Sequence, residues 1–216
     1  MNNSVRATLT RAGIIPVIKL SSADRAVPLA QTLARAGLPV AEITFRSAAA
    51  PEAIRRIASE APEVLVGAGT VVSPDQVRAA QQAGARFIVT PGFNPRVVEA
   101  ARAAGLLVVP GVNNPTGVEQ GMEAGLSLLK FFPAAASGGP AMLRALAGPY
   151  PEMEFVPTGG VSADNLATYL ACTNVAAVGG SWIVPSAAVE AGDMQTVETL
   201  TRAALEEAQR VRGARS

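Results

Sequence analysis

Eight short runs rich in Val, Ile and Leu recur along this 216-residue chain, each followed by a stretch with helical spacing. The runs cover residues 14–20, 41–45, 64–69, 87–91, 106–110, 128–132, 154–158 and 175–179. A continuous apolar run bounded by turn residues marks a strand buried on both faces, and a helix after each strand makes neighbouring strands parallel. Segments such as Pro51-Glu52-Ala53-Ile54-Arg55-Arg56-Ile57 and Gln76-Val77-Arg78-Ala79-Ala80 supply the helices. Capping residues open several of them, in Ser73-Pro74-Asp75, Asn94-Pro95 and Ser162-Ala163-Asp164. Glycine closes others, after Ala36, Ala83, Ala104 and Ala124. Eight such units at intervals of roughly 20 to 25 residues predict a parallel (β/α)8 barrel of the TIM type, an α/β fold. An open doubly wound sheet is the alternative, but no strand carries the G-x-G-x-x-G turn that would support it. No linker or composition shift marks a second domain, so residues 1–216 are expected to form one barrel. A short helix near residues 5–11 is expected to plug its bottom. Val197, Leu200, Leu205 and Ala208 predict one amphipathic helix over 194–212.

The fold says where chemistry belongs, because barrel enzymes keep their active residues at the C-terminal ends of the strands. Those ends carry Lys19; Glu42, Thr44 and Arg46; Gly69-Thr70; Thr90-Pro91-Gly92; Pro110-Gly111; Lys130, Phe132 and Pro133; Thr158-Gly159-Gly160; and Gly179-Gly180-Ser181. The unusual polar and glycine clusters thus converge on one rim. Strand alternation puts Glu42, Thr44 and Arg46 on one face and Ile43 and Phe45 on the other. The apolar pair suits the helix layer, which puts the polar three inside the barrel or at its mouth. By the same rule Leu128, Lys130 and Phe132 face inward. Taken alone, Glu42 also fits an ion pair with Arg46 at the rim.

Lys130 is one of only two lysines against sixteen arginines, and it lies in an apolar strand. Arg stays protonated at any working pH, whereas a desolvated amine near a second cation can lose its proton and attack a carbonyl. An inward Glu42 can then shuttle the protons that imine formation requires. Other chemistries are closed. With no histidine, Ser-His-Asp and Cys-His mechanisms and imidazole-based zinc sites are excluded. There is no CxxC pair, no clustered DxD run and no P-loop spacing, so neither metal nor organic cofactor is expected. A net charge of +1 with scattered arginines offers no footprint for nucleic acid. No apolar run reaches the roughly 18 residues of a membrane span. The apolar stretch of residues 12–18 is short and interrupted by Pro16, so it does not read as a signal peptide. The lone Cys172 fits a reducing, cytoplasmic setting and a buried packing role.

The two glycine pairs at adjacent strand ends say something else. Thr158-Gly159-Gly160 and Gly179-Gly180-Ser181 leave backbone N–H groups open to close approach, each beside a hydroxyl. In barrels the loops after strands seven and eight commonly hold a phosphate.

Seven segments in order carry a resemblance. They are Ala41-Glu42-Ile43-Thr44-Phe45-Arg46-Ser47, Val66-Gly67-Ala68-Gly69-Thr70-Val71, Thr90-Pro91-Gly92, Val109-Pro110-Gly111, Lys130-Phe131-Phe132-Pro133-Ala134, Pro157-Thr158-Gly159-Gly160 and Gly179-Gly180-Ser181-Trp182. From about Ile14 to the final helix the chain resembles the 2-keto-3-deoxy-6-phosphogluconate (KDPG) aldolase family, which includes enzymes that also cleave 4-hydroxy-2-oxoglutarate. The resemblance implies a metal-independent class I aldolase acting on a small keto acid, usually as a homotrimer. It implies that Lys130 forms the Schiff base and that Glu42 is the general acid/base. Arg46 and Thr70 resemble the residues that hold the pyruvate carboxylate and position the imine. Pro91 and Phe132 resemble the walls of the pyruvate pocket. Thr158, Gly159, Gly160, Gly180 and Ser181 resemble the binders of distal phosphate and hydroxyls.

Two departures fall on the same rim. Where members often continue the lysine motif as KFFPAE, this chain has Ala135, and after the fifth strand it has Asn113-Asn114. Both leave imine chemistry intact and bear on the aldehyde half. The expected reaction is cleavage of KDPG, with 4-hydroxy-2-oxoglutarate or the galactonate epimer of KDPG as alternatives. A sugar-phosphate isomerase on this fold would have no use for an inward lysine, and a non-enzymatic sugar-phosphate sensor would leave the Lys–Glu pair a coincidence. A mechanism without metal predicts that activity survives excess EDTA. Complete loss, restored by one specific divalent ion, would remove the class I reading.

Overall fold

A computed structural model describes residues 2–214. Helix α1 (Asn2–Ala12) leads into β1 (Ile14–Ile18), α2 (Ala26–Arg35), β2 (Val40–Thr44) and α3 (Ala50–Glu60). The chain continues through β3 (Leu65–Gly69), α4 (Pro74–Gln82), β4 (Phe87–Val89), α5 (Pro95–Ala103) and β5 (Leu107–Val109). Then come β6 (Gly111–Val112), α6 (Pro115–Glu123), β7 (Leu128–Phe131), α7 (Gly139–Ala147) and β8 (Glu154–Pro157). The last elements are α8 (Leu166–Leu170), β9 (Val178–Gly180), α9 (Ser186–Ala191) and α10 (Met194–Gly213).

The strands run in the order β5-β4-β3-β2-β1-β9 in one sheet and β6-β7-β8 in another, and every pairing is parallel. Two isolated parallel bridges, Phe155 with Val175 and Thr158 with Gly179, join β8 to the β9 segment. Segment β5 falls within the expected fifth strand, 106–110, and β6 continues it beyond that range after a break at Pro110, which has no N–H for a ladder. The sheet therefore curls round into a (β/α)8 barrel. The eighth strand starts later than expected, at Val178, because Val175 makes only a single bridge to β8.

Caps set the helix starts. Ser73 accepts from the Gln76 amide at 3.3 Å and Asn94 from the Arg96 amide at 3.1 Å. Two further caps lay unnoticed in the sequence: Asn114, accepting from the Gly117 amide at 2.9 Å, and Asp193, accepting from the Thr196 amide at 3.0 Å. The expected cap at Ser162 is not one. There Asn165 Oδ1 accepts from the Ser162 amide at 2.9 Å, and α8 starts only at Leu166. Asn165 spends its side chain on the preceding loop instead.

Two cores result. The larger lies between the sheet and its helices, and Val197 and Ala208 of α10 are buried in it while Leu200 and Leu205 are partly covered. The smaller fills the lower lumen, where Val5 and Leu9 of α1 pack against Ile15, Val40, Phe87, Leu128 and Val156. Helix α1 thus plugs the barrel bottom, over a longer range than residues 5–11. From α10, Arg212 donates to the Thr10 carbonyl at 2.7 Å and to the Ala176 carbonyl, tying the last helix to that end. No helix among the described residues is long and apolar enough to cross a membrane.

Lumen packing depends on paired sizes. A Cβ on Gly67 would stand 2.5 Å from the Phe87 ring, so β3 yields the space that β4 fills. Gly67→Ala therefore overpacks the lumen without any backbone penalty. It should cost about 1–3 kcal/mol, read as a lower urea midpoint with unchanged slope.

Candidate active site

The C-terminal half of the lumen is where polar side chains replace the apolar core. Glu42 of β2 and Lys130 of β7 both point into it, and both are almost wholly buried, at 2% and 4% exposure. Gly69, at the end of β3, makes the room that the carboxylate occupies: a Cβ there would lie 2.0 Å from Glu42 Oε1. That oxygen has no hydrogen-bond partner in the protein, so it is free for a ligand or its protons. Lys130 Nζ lies 4.8 Å from the centroid of the Phe132 ring, which covers it from the mouth side. The Lys130 amide donates to the Pro110 carbonyl at 2.8 Å, anchoring the strand at the point where the side chain turns inward.

Arg46 stands at the mouth, exposed, and is not ion-paired with Glu42. Its Nε donates to Thr44 Oγ1 at 3.3 Å, and Thr44 in turn donates to the Ile18 carbonyl at 2.9 Å. Thr44 is thus the buried hydroxyl that links Arg46 to β1. Its inward parity was legible in the sequence, but its partners come from a strand distant in the chain. Thr70 has φ +54°, a conformation that a β-branched residue adopts only under strain. Such outliers concentrate at functional sites.

Pro91 and Phe132 line a cavity of about 620 Å³ at the rim, together with Gly111, Asn113, Asn114 and Pro133. Thr90 holds this wall: its hydroxyl donates to the Gly92 carbonyl at 2.6 Å and accepts from the Gly111 amide at 3.3 Å. Asn114 Nδ2 donates to Asn113 Oδ1 at 3.1 Å, while its own Oδ1 caps α6. Of the Asn pair, Asn114 is therefore committed to structure. A second cavity of about 650 Å³ lies on the outer face between α5 and α6, lined by Phe93, Val98, Arg102 and Gln120, and contains none of the expected site residues.

The turns after β8 and β9 meet. Thr158 is buried, and Gly179 gives it room, since a Cβ at 179 would be 2.3 Å from Thr158 Oγ1. Gly159 and Gly160 have φ of +93° and +81°, which bends their amides out of the sheet. The Ala134 amide donates to the Thr158 carbonyl at 2.8 Å and the Ala135 amide to the Gly159 carbonyl at 3.0 Å, lacing the lysine loop to this turn. Asn165 braces it by donating to the Gly160 carbonyl at 2.8 Å. Gly180 lies against the Trp182 ring. Among the described residues, no hydrogen bond uses the amides of Gly159, Gly160, Ser181 or Trp182. These four donors are left unused by the protein. Ala135 packs on Gly160, where a Cβ would come within 2.4 Å of its own.

The sequence model of the aldolase family described as KDPG and KHG aldolase matches residues 5–200. The chain belongs to that family. It is 47% identical to the 2-dehydro-3-deoxy-phosphogluconate aldolase of Haemophilus influenzae, over 88% of this chain and 89% of that one. It is 42% identical to the KHG/KDPG aldolase of Escherichia coli K12, over 94% and 95%. The crystal structure of the Legionella pneumophila KDPG aldolase, with pyruvate captured at low pH as a covalent carbinolamine intermediate, superposes with a TM-score of 0.90 at 38% identity, covering 93% of this chain and 97% of that one.

In this aldolase the electrostatics of the lumen centre on Glu42. Burial raises its pKa above the usual carboxylate value, while the positive charges of Lys130 and Arg46 pull it back down. The net shift is upward, so folded Glu42 holds its proton to higher pH than the unfolded chain does. Its contribution to stability is complete below the unfolded value, near 4.5, and is lost as pH rises through the folded one. Removing the Lys130 charge removes one opposing influence. In a Lys130→Met variant the carboxyl carbon of Glu42, followed by 13C NMR, should titrate at higher pH than in the wild type. A midpoint that falls would contradict the coupling.

Proposed function

We propose that the chain is a class I aldolase that reversibly cleaves KDPG to pyruvate and D-glyceraldehyde 3-phosphate. The observation that carries this reading is the buried pair of Lys130 and Glu42 in one lumen, with Glu42 Oε1 unengaged. A lysine and a carboxylate are the minimum an imine aldolase needs, and burying both is a cost that packing alone gives no reason to bear.

In the proposed sequence, neutral Lys130 Nζ attacks C2 of the keto acid to give a carbinolamine, which loses water to form an iminium. Glu42, directly or through a water, takes the C4 hydroxyl proton. The C3–C4 bond then breaks, its electrons flow into the iminium, and the aldehyde leaves. The enamine is protonated at C3, and hydrolysis of the resulting imine frees pyruvate and Lys130. The water lost at iminium formation and the water taken up at hydrolysis pass through the mouth.

Arg46 and Thr70 hold the pyruvate carboxylate in this reading, and Pro91 and Phe132 wall the ketone pocket. Thr158, Gly159, Gly160, Gly180 and Ser181 bind the distal phosphate and hydroxyls, supported by the four unused amides around them. The same amides favour a phosphorylated substrate over 4-hydroxy-2-oxoglutarate, which leaves glyoxylate as its aldehyde. That second substrate keeps a place because the Escherichia coli relative is named for both. No metal or cofactor takes part, nucleic acid and membranes are not partners, and the setting is cytoplasmic. The assembly is a homotrimer, for which light scattering should return three times the chain mass.

Lys130→Arg tests the mechanism, because it keeps the charge and approximate length while removing the amine able to become neutral. Incubation with pyruvate and borohydride should add mass to a Lys130 peptide in the wild type and none in the variant. Cleavage of KDPG should fall to background. An adduct on Lys19, or full activity in Lys130→Arg, would overturn the assignment.

A further inference from the structure

Thr44 ends β2, two residues after Glu42 and two before Arg46. It is 1% exposed, and its hydroxyl serves two partners. The oxygen donates to the Ile18 carbonyl at 2.9 Å and accepts from Arg46 Nε at 3.3 Å. A hydroxyl has one proton, and here it goes to a carbonyl that can only accept. A remaining lone pair faces the guanidinium, which can only donate. This polarity leaves no proton on Thr44 for a ligand, so the residue acts on whatever lies beyond Arg46 through that arginine.

The base of Arg46 is held from both sides. The Phe45 amide donates to the Gly69 carbonyl at 2.8 Å, at the end of β3. Ser47 Oγ donates to the Leu20 carbonyl at 2.6 Å, just beyond β1. With Thr44 on Ile18, the segment 44–47 is tied to both neighbouring strands. A surface arginine needs none of this, since a long exposed side chain ordinarily keeps its rotamer freedom. Among the described residues the Arg46 guanidinium has no ion pair, and the bond to Thr44 is its one hydrogen bond. Because Nε is taken, the two terminal Nη groups remain, and together they can grip a carboxylate with two parallel bonds. Burial raises the pKa of Glu42, and the charges of Lys130 and then Arg46 oppose it, so this guanidinium lies near enough to the lumen to be felt there.

We propose that Thr44 is a positioning residue that aims the Nη edge of Arg46 at the carboxylate of the keto acid and so fixes the ketone over Lys130. This rests on the function proposed above, in which Arg46 holds that carboxylate. An arginine swinging freely at the mouth would offer the same charge without a fixed direction, and an amine that forms an imine depends on placement of the reacting carbon. Thr44→Val removes both hydroxyl bonds at nearly unchanged volume, whereas Thr44→Ser keeps the hydroxyl and loses only a methyl group.

The test follows the borohydride-trapped adduct on Lys130 with pyruvate and with pyruvamide, its uncharged amide. Formation of the pyruvate adduct by the wild type is the control for the function itself, and its absence would sink that reading whatever Thr44 does. Given the adduct, Thr44→Val should raise the pyruvate concentration for half-maximal trapping about 10-fold, while pyruvamide shifts by less than about twofold. Thr44→Ser should recover most of the loss. Arg46→Ala should weaken pyruvate at least as much. Adding Thr44→Val to it should change nothing further, because a residue that acts through Arg46 has no effect once Arg46 is gone. Equal losses on the two ketones, or losses that add in the double variant, would make Thr44 a structural residue only. An unchanged pyruvate response would mean that Arg46 is aimed without it. Each of these results overturns the proposal.

Discussion

Burying a carboxylate and an amine in one barrel lumen is the constraint on which the rest of this molecule turns. Each ion alone would be expensive to desolvate, and the pair is affordable only because their opposite charges act across a small, enclosed space. The upward shift at Glu42 shows that burial still outweighs attraction. A carboxyl whose burial favours its protonated form is better suited to moving protons than one fixed as the anion. The barrel supplies what such a pair needs: a rigid wall on every side and an opening at one end only, since α1 closes the other.

Space in that lumen is allotted by glycine. Gly67 admits the Phe87 ring, Gly69 admits the Glu42 carboxylate, and Gly179 admits the Thr158 hydroxyl. In each case a strand surrenders its side chain so that a neighbouring strand can place a larger or more reactive one. The lower pair belongs to packing and the upper two to the rim, so one device serves both stability and site geometry. The same economy appears in the polar residues. Thr44 links Arg46 to β1, Thr90 joins the Pro91 wall to Gly111, and Asn165 braces the turn at Gly160. Each of them fixes backbone or side chains around the rim.

Much of this was legible from the chain alone. Apolar runs alternating with capped helices specify a parallel sheet curled into a barrel, because continuous burial on both faces leaves few other arrangements. Period-two alternation was enough to turn Glu42 and Lys130 inward, and the strand ends were enough to gather the glycine pairs at one rim. Local errors arose where a neighbouring side chain or a missing donor overrode the expected signal. Ser162 looks like a cap by type and position, yet Asn165 bonds back to its amide and the helix begins later. Pro110 lies within an apolar run and divides the strand because it offers no donor to the neighbouring ladder.

What the sequence determined by itself was therefore the class of fold, the face on which each strand residue lies and the chemical types available at the rim. Those follow from periodicity and from side-chain chemistry, which are properties of neighbours along the chain. Only the tertiary structure decided which groups meet. The strain at Thr70, the free Oε1 of Glu42 in the hollow left by Gly69, and the Thr44 hydroxyl between Arg46 and Ile18 all depend on the register of separate strands. Register is set by closing the whole barrel, and no stretch of sequence contains that condition.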